Sequence, residues 1–422
     1  MRERNSMSNG MKRGKDMEKK LPLEGIKVVE MATVVAAPVT ARMFADYGAE
    51  VYKVEVPPAG DLLRPTGKGH TLPAEEGNNP LFDMYNSGKN LIAINLKAEE
   101  GKQVFFHLLA DTDVFVTNIR MQSLIKMGID YDSLKERFPR LIYGHFSGFG
   151  MEGAEVNRPG FDQTAFWFRS GAATDIETPG SFPIRASFGF GDIVTAGSFM
   201  NGLLMALIAR EKTQHGTFVA TSLQRAAIWC SATAVINSQP QYGKVYPVDR
   251  YSPWDPFSDF YCCRDGEWVA FMEKKYENDR YIFARIFELP ELIEDPDLES
   301  LDAMRDSGKL QKVTHKLEKI MKSRPSDEWI RIFEENDVAC EKGRHFKDVY
   351  LDPQARANGA FEDVAYPDGV TAMPTPPLSF SEYGKKPFCK AGPVGRDTDR
   401  VLGALGFSTD EIEALRKKKA VI

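Results

Sequence analysis

Apolar and polar stretches alternate along the first half of the chain in a way that predicts short buried strands separated by helices. Runs rich in Val and Ile predict strands at 26–30 and 49–55, and a helical pattern at 39–47 lies between them. A strand, a helix and a second strand in this order form a β-α-β unit, the start of a helix-covered parallel sheet. Further apolar runs predict strands at 91–96, 114–117, 141–147 and 217–223. We therefore expect an α/β fold with a Rossmann-like parallel sheet.

The second half of the chain has a different pattern. A proline-rich stretch at 237–258 is typical of a linker, and residues 262–271 predict a hairpin with an Asp-Gly turn. Helical patterns with charged faces follow at 278–335, and a terminal helix is predicted to start at Ser408. These features predict a second, smaller α+β domain.

The predicted domain organisation has three parts. Residues 21–228 and 330–422 form a large α/β domain, and residues 229–329 form a linker and the small domain. Residues 1–20 carry seven Lys or Arg and three Asp or Glu without the apolar core of a signal peptide, so we expect a disordered N-terminal extension.

Charge and cysteine usage exclude several classes of function. A formal net charge of −6 argues against nucleic acid as a partner, because phosphate backbones need a concentrated basic surface. Five cysteines without a C-x-x-C spacing, and six histidines without a ligand spacing, predict a reducing cytoplasm and no metal site. The longest apolar run, 193–209, is interrupted by Asn201 and Gly202, which predicts a buried helix of a soluble protein rather than a membrane span.

The junction at Asp192 is the strongest candidate for chemistry. Gly189 and Gly191 allow another molecule to approach the main chain closely, and a long apolar helix follows. At the N-cap of that helix, Asp192 would face unpaired N–H groups that favour its ionised form, so it could attack a carbonyl carbon. The alternative is that Asp192 only caps the helix.

An aromatic segment precedes this junction. It contains Phe161, Phe166, Trp167 and Phe168 next to a proline-glycine turn. Such residues either fill a core or line an apolar acyl pocket, and the sequence leaves both open. With Gly189 and Gly191, we take Phe161, Phe166 and Trp167 as the candidate substrate pocket. Phe168 and Trp229 also favour an apolar or aromatic acyl group.

No common nucleotide motif accounts for the first βα turn. It reads Ala36-Ala-Pro38 where a dinucleotide-binding fold has its glycines, so a nicotinamide oxidoreductase is disfavoured although Glu55 ends the second strand. We expect no tightly bound cofactor.

Several motifs in series resemble the class III (CaiB/BaiF-type) coenzyme A transferases, over about residues 21–422. The motifs that carry the resemblance are Leu23-Glu-Gly-Ile-Lys-Val-Val-Glu30, Gly48-Ala-Glu-Val-Tyr-Lys-Val-Glu55, Asn86-Ser-Gly-Lys-Asn90, Arg158-Pro-Gly-Phe-Asp162, Gly189-Phe-Gly-Asp192, Arg210-Glu-Lys-Thr213, Lys347-Asp-Val-Tyr-Leu-Asp-Pro353 and Gly395-Arg-Asp-Thr398. Within the family, the chain is most similar to the phenyllactate and 2-hydroxyisocaproate type. That branch serves amino acid fermentation and moves CoA between 2-hydroxy acids and 2-enoyl-CoA thioesters.

The resemblance implies an enzyme with Asp192 as nucleophile. In the family, the aspartate attacks the acyl-CoA thioester to give an aspartyl-acyl anhydride, and an aspartyl-CoA thioester follows. Acyl-CoA and a carboxylic acid are then the substrates. The resemblance also implies a homodimer whose two chains are interlinked like rings.

The resemblance further implies a set of CoA contacts. Their loops follow strands, and their basic members suit the phosphates of CoA. These expected contacts are Val35, Ala36, Ile94, Asn95, Leu96, Lys97, Asn118, Ile119, Arg120, Lys126 and Arg158.

Two departures from the family pattern bear on function. A glycine-run loop that closes some relatives is absent from this sequence. The related racemases have a histidine at the position of Phe161, and its loss removes one of two proton carriers. An acyl-CoA racemase of the same fold, or a non-catalytic CoA-binding relative, are the alternatives to a transferase.

Overall fold

The structure is a computed structural model and describes residues 19–422. The chain divides into two compact units. The first contains the described residues up to Ser170, together with Ala186–Cys230 and Ala357–Ile422, and the second contains Gly171–Arg185 and Ser231–Arg356. The extension predicted at 1–20 lies almost wholly outside the described residues.

A six-stranded parallel sheet forms the centre of the first unit. Its strands are β1 (Lys27–Met31), β2 (Glu50–Glu55), β3 (Asn90–Ala93), β4 (Val114–Thr117), β5 (Ile142–Ser147) and β6 (Phe218–Ser222). They lie in the order β3-β2-β1-β4-β5-β6. The strands β4 and β5 near the middle of the sheet are almost wholly buried, and they are mostly apolar runs, as is typical of a sheet covered on both faces. This confirms the predicted α/β class with a parallel sheet.

Helices connect and cover the strands of this sheet. They are α1 (Ala36–Asp46), α2 (Pro80–Asn86), α3 (Glu99–Leu109), α4 (Met121–Met127), α5 (Tyr131–Leu134), α7 (Phe190–Thr213), α8 (Leu223–Cys230), α17 (Thr398–Ala404) and α18 (Thr409–Lys417). A 3₁₀ turn at Thr66–His70 and a π-helical segment at Asp162–Phe168 complete the unit, with a hairpin of β10 (Phe361–Tyr366) and β11 (Gly369–Pro374).

The main core of this unit lies between the sheet and the helices on one face. It joins Val29 and Phe115 of the central strands to Phe105 of α3 and Val401 of α17. The C-terminal segment is held to the sheet because Asn95 donates its backbone N–H to the carbonyl of Ala420 at 2.8 Å. The returning end of the chain is therefore part of the first unit.

Helix α7 is the longest helix and packs on α1, β5 and β6. Near its end, the buried Arg210 forms an ion pair with Asp113, which directly precedes β4, at 2.7 Å. By length and composition α7 is the one helix within residues 19–422 that could cross a membrane, but core helices of soluble proteins meet the same criteria. The prediction of a buried helix holds for one face, since Met205 and Ile208 are exposed.

The second unit has its own sheet and core. Its antiparallel strands are β7 (Asp259–Cys262), β8 (Trp268–Met272) and β9 (Ala339–Lys342). Its helices are α6 (Ala172–Asp175), α9 (Ala232–Asn237), α10 (Tyr276–Ile286), α11 (Glu291–Glu294), α12 (Leu301–Asp306), α13 (Leu310–Met321), α14 (Ser326–Glu335), α15 (Phe346–Val349) and α16 (Pro353–Ala357), with a 3₁₀ turn at Pro296–Leu298. Phe271, Phe287 and Trp329 meet in its core.

Several boundaries differ from the predictions. Gly171–Arg185 and residues 330–356 were predicted to belong to the large domain, but both group with the second unit. Residues 330–356 do so because β9 pairs with β8. Helix α1 begins at Ala36, before the predicted start at residue 39, since Pro38 is tolerated in the first turn of a helix. The hairpin β10–β11 was not predicted, although Pro367 and Asp368 form its turn and Gly369 follows directly.

Candidate active site

A cleft of about 420 Å³ opens beyond the carboxyl ends of β1 and β4. The chain runs from β1 outward to β2 and β3, then returns to place β4 on the other side of β1. The loops after β1 and β4 therefore diverge, which leaves a crevice where α/β proteins bind ligands. Residues 33–36 form one wall of the cleft and residues 118–121 form another.

Asp192 lies at the wall of this cleft, on the first turn of α7. The helix begins at Phe190, so Asp192 is its third residue. Gly189 is the N-cap, with a φ of +75° that favours glycine, and a Cβ at this position would lie 3.0 Å from Val35. The glycine thus allows the start of α7 to lie against the loop that follows β1.

The cap of α7 comes from Asp162 rather than Asp192. The Gly191 N–H donates to Asp162 Oδ1 at 3.0 Å. A Cβ at Gly191 would lie 2.4 Å from the same oxygen, so a larger residue would displace this carboxylate. The expectation that Asp192 itself occupies the N-cap is therefore wrong, because an acidic side chain 30 positions earlier along the chain takes that role.

Burial determines the protonation of Asp192, whose side chain is 8% exposed. Burial, together with the charge of Asp162, raises the pKa of Asp192 to about 7. Within residues 19–422, no side chain or backbone group forms a hydrogen bond to its carboxylate. This corrects the expectation that helix N–H groups keep its pKa low. A free, poorly solvated carboxylate is a strong nucleophile once ionised.

Tyr85 of α2 is a neighbour of this site that the sequence analysis missed. Burial and the charge of Asp192 raise its pKa to about 12, so it stays a neutral phenol. The Tyr85 hydroxyl would lie 3.5 Å from a Cβ at Gly189, at the turn that precedes Asp192.

The cleft brings together about half of the predicted site residues. Those at its wall are Val35, Ala36, Asn118, Ile119, Arg120, Arg158, Phe161 and Asp192. Those outside its lining are Ile94, Asn95, Leu96, Lys97, Lys126, Phe166, Trp167, Gly189 and Gly191.

The predicted CoA contacts that follow β3 are residues 94–97, and the C-terminal end of the chain packs against them. Asn95 donates its side-chain N–H to the carbonyl of Lys419 at 3.1 Å, and Ile94 and Leu96 are buried in the main core. Lys97 is exposed, and so is Lys126 in the last turn of α4.

Asn118 fixes the loop that follows β1. Its Oδ1 accepts the Thr33 N–H at 3.0 Å, and its Nδ2 donates to the Thr33 carbonyl at 2.8 Å. Unlike Asn118, the two arginines at the rim of the cleft do not hold a loop in place. Arg120 is exposed, and Arg158 forms an ion pair with Glu155. Either arginine can turn toward a phosphate at the cleft mouth.

The aromatic segment divides between core and cleft. Phe166 and Trp167 are buried, and Trp167 packs on Phe190 at 5.5 Å between ring centroids. Phe161 is 64% exposed at the wall of the cleft. The π-helical turn at Asp162–Phe168 separates these residues, because it directs Phe166 toward Gly191.

Apolar residues that the sequence analysis did not select also line the cleft. They are Val34, Leu62, Met121, Phe146, Met151, Val156 and Leu223. A signal was present in the sequence for two of them: Val34 lies in the loop after the first strand, where a ligand was expected, and Met121 directly follows the predicted contact Arg120.

His145 also lines the cleft, and its Nδ1 has no hydrogen-bond partner among residues 19–422. Its Nε2 lies 2.9 Å from the Ile119 carbonyl, which requires the proton on this nitrogen. Burial lowers the pKa of His145 against the effect of that hydrogen bond, so the ring is neutral. Within residues 19–422, no three His, Cys, Asp or Glu side chains are placed to hold a metal ion.

Comparisons with known proteins agree with this geometry. The model for CoA-transferase family III matches residues 23–398. The chain is 34% identical to the (R)-2-hydroxy-4-methylpentanoate CoA-transferase of Clostridioides difficile, covering 94% of this chain and 99% of that protein. It is also 34% identical to the cinnamoyl-CoA:phenyllactate CoA-transferase of Clostridium sporogenes, covering 94% of this chain and 97% of that protein.

A solved structure has the same fold. The crystal structure of a CaiB/BaiF family protein from Brucella suis matches with a TM-score of 0.77 and 26% identity, covering 92% of this chain and all of that one. The family match spans the strands, the cleft and Asp192. The chain belongs to CoA-transferase family III and is an enzyme of this class.

Proposed function

We propose that the protein transfers CoA from a 2-enoyl-CoA to a 2-hydroxy acid, with Asp192 as the covalent carrier. The observation that carries this proposal is the position of Asp192, a buried carboxylate without a hydrogen-bond partner in the described chain at the wall of the cleft. Two relatives of 34% identity are named for transfer to or from 2-hydroxy acids, which supports the substrate class.

The reaction proceeds through acyl transfers that balance without a net proton. An oxygen of Asp192 attacks the thioester carbonyl carbon, the C–S bond breaks, and CoA leaves as a thiolate. The thiolate then attacks the aspartyl carbonyl carbon of the anhydride, which releases the first carboxylate and forms an aspartyl-CoA thioester. The incoming carboxylate displaces CoA from this thioester, and the thiolate attacks the new acyl carbon of the second anhydride, which regenerates Asp192.

The cleft favours an apolar acyl group. Val34, Leu62 and Leu223 line it, and Leu62 is 69% exposed. Covering such a side chain with an acyl chain removes apolar surface from water. We propose that CoA contacts Val35, Ala36, Asn118, Ile119, Arg120 and Arg158, which line the cleft. The proposal also keeps the contacts that the family resemblance implies at Ile94, Asn95, Leu96, Lys97 and Lys126, which lie outside the lining.

We also propose a homodimer, as the family resemblance implies. Apolar side chains on α7 and α8 support it, because Met205 is 68% exposed and Trp229 is 79% exposed. Met and Trp side chains are enriched in protein interfaces relative to the rest of the surface. The five free cysteines within the described chain favour a reducing cytoplasm.

Trapping tests the role of Asp192. The protein is incubated with cinnamoyl-CoA and treated with hydroxylamine or borohydride, and the peptide containing residue 192 is analysed by mass spectrometry. We expect a hydroxamate or a reduced product at Asp192. Asp192→Asn should lower kcat by at least about 10³-fold, because it removes the covalent route.

Asp132→Asn is the matched control, since Asp132 is an exposed carboxylate that pairs with Lys135. It should leave both labelling and turnover unchanged. Unreduced turnover in Asp192→Asn would refute the proposal. Solvent deuterium entering the α-carbon without an acceptor acid would identify a racemase, and CoA binding without exchange would identify a non-catalytic relative.

A further inference from the structure

The backbone of Val34 is in a conformation that valine rarely adopts. Its φ is +69°, in the left-handed region where a β-branched side chain crowds the main chain. Val34 lies at the wall of the cleft. Its conformation must therefore be imposed by its surroundings, and strained backbone of this kind persists where neighbouring groups hold it.

Asp61 holds this peptide directly. The Val34 N–H donates to Asp61 Oδ1 at 2.9 Å. The same oxygen accepts the Leu63 N–H at 2.9 Å, so the carboxylate is anchored in its own loop. The peptide before Val34 is held on its other side, where Thr33 is bonded to Asn118 in both directions.

A buried network of charges fixes Asp61 in turn. Its Oδ2 lies 2.8 Å from Lys53 Nζ, and its N–H donates to Glu55 at 2.9 Å. Lys53 also contacts Glu30 at 2.7 Å, and Lys89 contacts Glu30 at 2.6 Å. All five side chains are almost completely buried. Asp61 is the member of this network that bonds the backbone of Val34.

Val35, the next residue, contacts the turn that precedes Asp192. Val35 packs on Gly189, where a Cβ would lie 3.0 Å from Val35 Cγ1. Gly189 is the N-cap of α7, and Asp192 follows three residues later. The left-handed turn at Val34 therefore sets where the loop lies against the turn that carries Asp192.

We propose, resting on the CoA-transferase function above, that Asp61 is a positioning residue that holds Val34 in its left-handed conformation. The loop at residues 33–36 is thereby preformed as a wall for the thioester before substrate binds. A preformed wall raises the rate because no loop ordering accompanies binding and attack.

A double-mutant cycle between Asp61 and Val34 tests this role. Glycine adopts a positive φ without strain, so Val34→Gly makes the restraint from Asp61 unnecessary. We expect Asp61→Ala to lower kcat/KM by about 10-fold to 100-fold in the wild-type background. In the Val34→Gly background the same change should lower kcat/KM by less than about threefold.

Val34→Ala is the matched control. It shortens the side chain as Val34→Gly does but keeps the Cβ that disfavours a positive φ. Asp61→Ala should therefore lower kcat/KM by the same factor in the Val34→Ala background as in the wild type. Equal losses in the glycine and alanine backgrounds would overturn the proposal.

If Asp61→Ala does not fold, Asp61→Asn tests the positioning role instead. Asparagine retains an oxygen that can accept the Val34 N–H, although it loses the charge facing Lys53. We expect Asp61→Asn to lower the melting temperature while kcat/KM stays within about threefold of wild type. A tenfold or larger loss in this folded variant that Val34→Gly does not restore would contradict the proposal.

Binding of CoA separates failure of this inference from failure of the proposed function. If the wild type transfers no CoA between carboxylates, the function is wrong, and the dissociation constants of CoA are measured for the same variants by calorimetry. A loss of affinity in Asp61→Ala that Val34→Gly restores would still support the positioning role. An unrestored loss, or no loss, would overturn it.

Discussion

Asp192 combines two properties that oppose each other. As the proposed nucleophile it must be ionised to attack a thioester, yet burial and the charge of Asp162 raise its pKa to about 7. Poor solvation makes the ionised carboxylate more reactive, while the raised pKa leaves part of the population protonated at neutral pH. The position of Asp162 therefore influences both the geometry and the charge of the nucleophile.

The raised pKa of Asp192 predicts how kcat/KM falls at acid pH. Because protonated Asp192 cannot attack, kcat/KM should rise with pH and level off above about 7. Asp162→Asn removes the negative charge that raises the pKa of Asp192, so the acid limb should move to lower pH. The measurement is kcat/KM from pH 5 to 9, roughly the range over which such profiles are informative.

Asparagine at position 162 retains an oxygen for the Gly191 N–H, so the turn has an acceptor in the variant. Asp132→Asn is the control, since its carboxylate is exposed. An acid limb that does not move in Asp162→Asn would show that another group titrates.

At the level of elements, the start of α7 decides how Asp192 is presented. Gly189 supplies the left-handed N-cap, and Asp162 accepts the N–H of Gly191. The close approach leaves no room at Gly191, whereas a Cβ added at Gly197, further along the helix, would have no atom within 4 Å. The same helix thus offers two glycines with opposite surroundings.

These glycines predict opposite effects of alanine. Gly191→Ala would place its Cβ 2.4 Å from both Asp162 Oδ1 and Phe166 Cγ, so we expect kcat to fall at least about 10-fold through displacement of the turn. Gly197→Ala should raise the free energy of unfolding by up to about 1 kcal/mol, because alanine favours helix. Turnover and thermal melting of both variants check this. Full activity in Gly191→Ala would be inconsistent with the geometry of the turn.

Several elements were predictable from the sequence because their signals are local. The strands around β1 and β4 are runs of β-branched and aromatic residues, and Ser408 caps α18 in a capping box with Glu411. The N-terminus of α7 was predicted incorrectly, because the acceptor that caps it is 30 residues away from Asp192 in sequence. No local pattern carries that information.

The candidate site was predictable only in part for the same reason. The loop after β1 was expected at the ligand site because ligands bind beyond the carboxyl ends of parallel strands, whereas the contacts after β4 were implied only by the family resemblance. Phe166 and Trp167 have the composition of a pocket, but the π-helical turn directs them inward. The hydrogen bond from Val34 to Asp61 and the position of Tyr85 beside Gly189 are tertiary contacts that sequence spacing does not reveal.

At the level of the whole molecule, the proposed interlinked homodimer has a measurable consequence. Two chains of 47.3 kDa should elute together and scatter light as a dimer. Linked rings cannot separate while folded, so mixing tagged and untagged dimers should give no mixed species until both are unfolded and refolded together. Mixed dimers formed by native proteins within hours would contradict the interlinked arrangement, and a monomer would contradict the dimer.

A matched pair of substitutions tests whether the exposed side chains of α7 and α8 form the dimer interface. Trp229→Glu places a charge on the exposed face of α8, and Trp268→Glu does the same on an exposed position of β8 in the second unit. The first should prevent formation of a soluble dimer, since an interface core does not tolerate an unpaired charge. The second should leave the dimer intact.

Helix α7 is secured near both of its ends, by Asp162 at the first turn and by Asp113 through Arg210 near the last. The Asp192 carboxylate therefore lies at one end of a helix that is held at both ends, roughly 27 Å from the second anchor. If Asp192 is the covalent carrier that we propose, it stays in place during turnover, and the thiolate and the two acids must exchange positions around it.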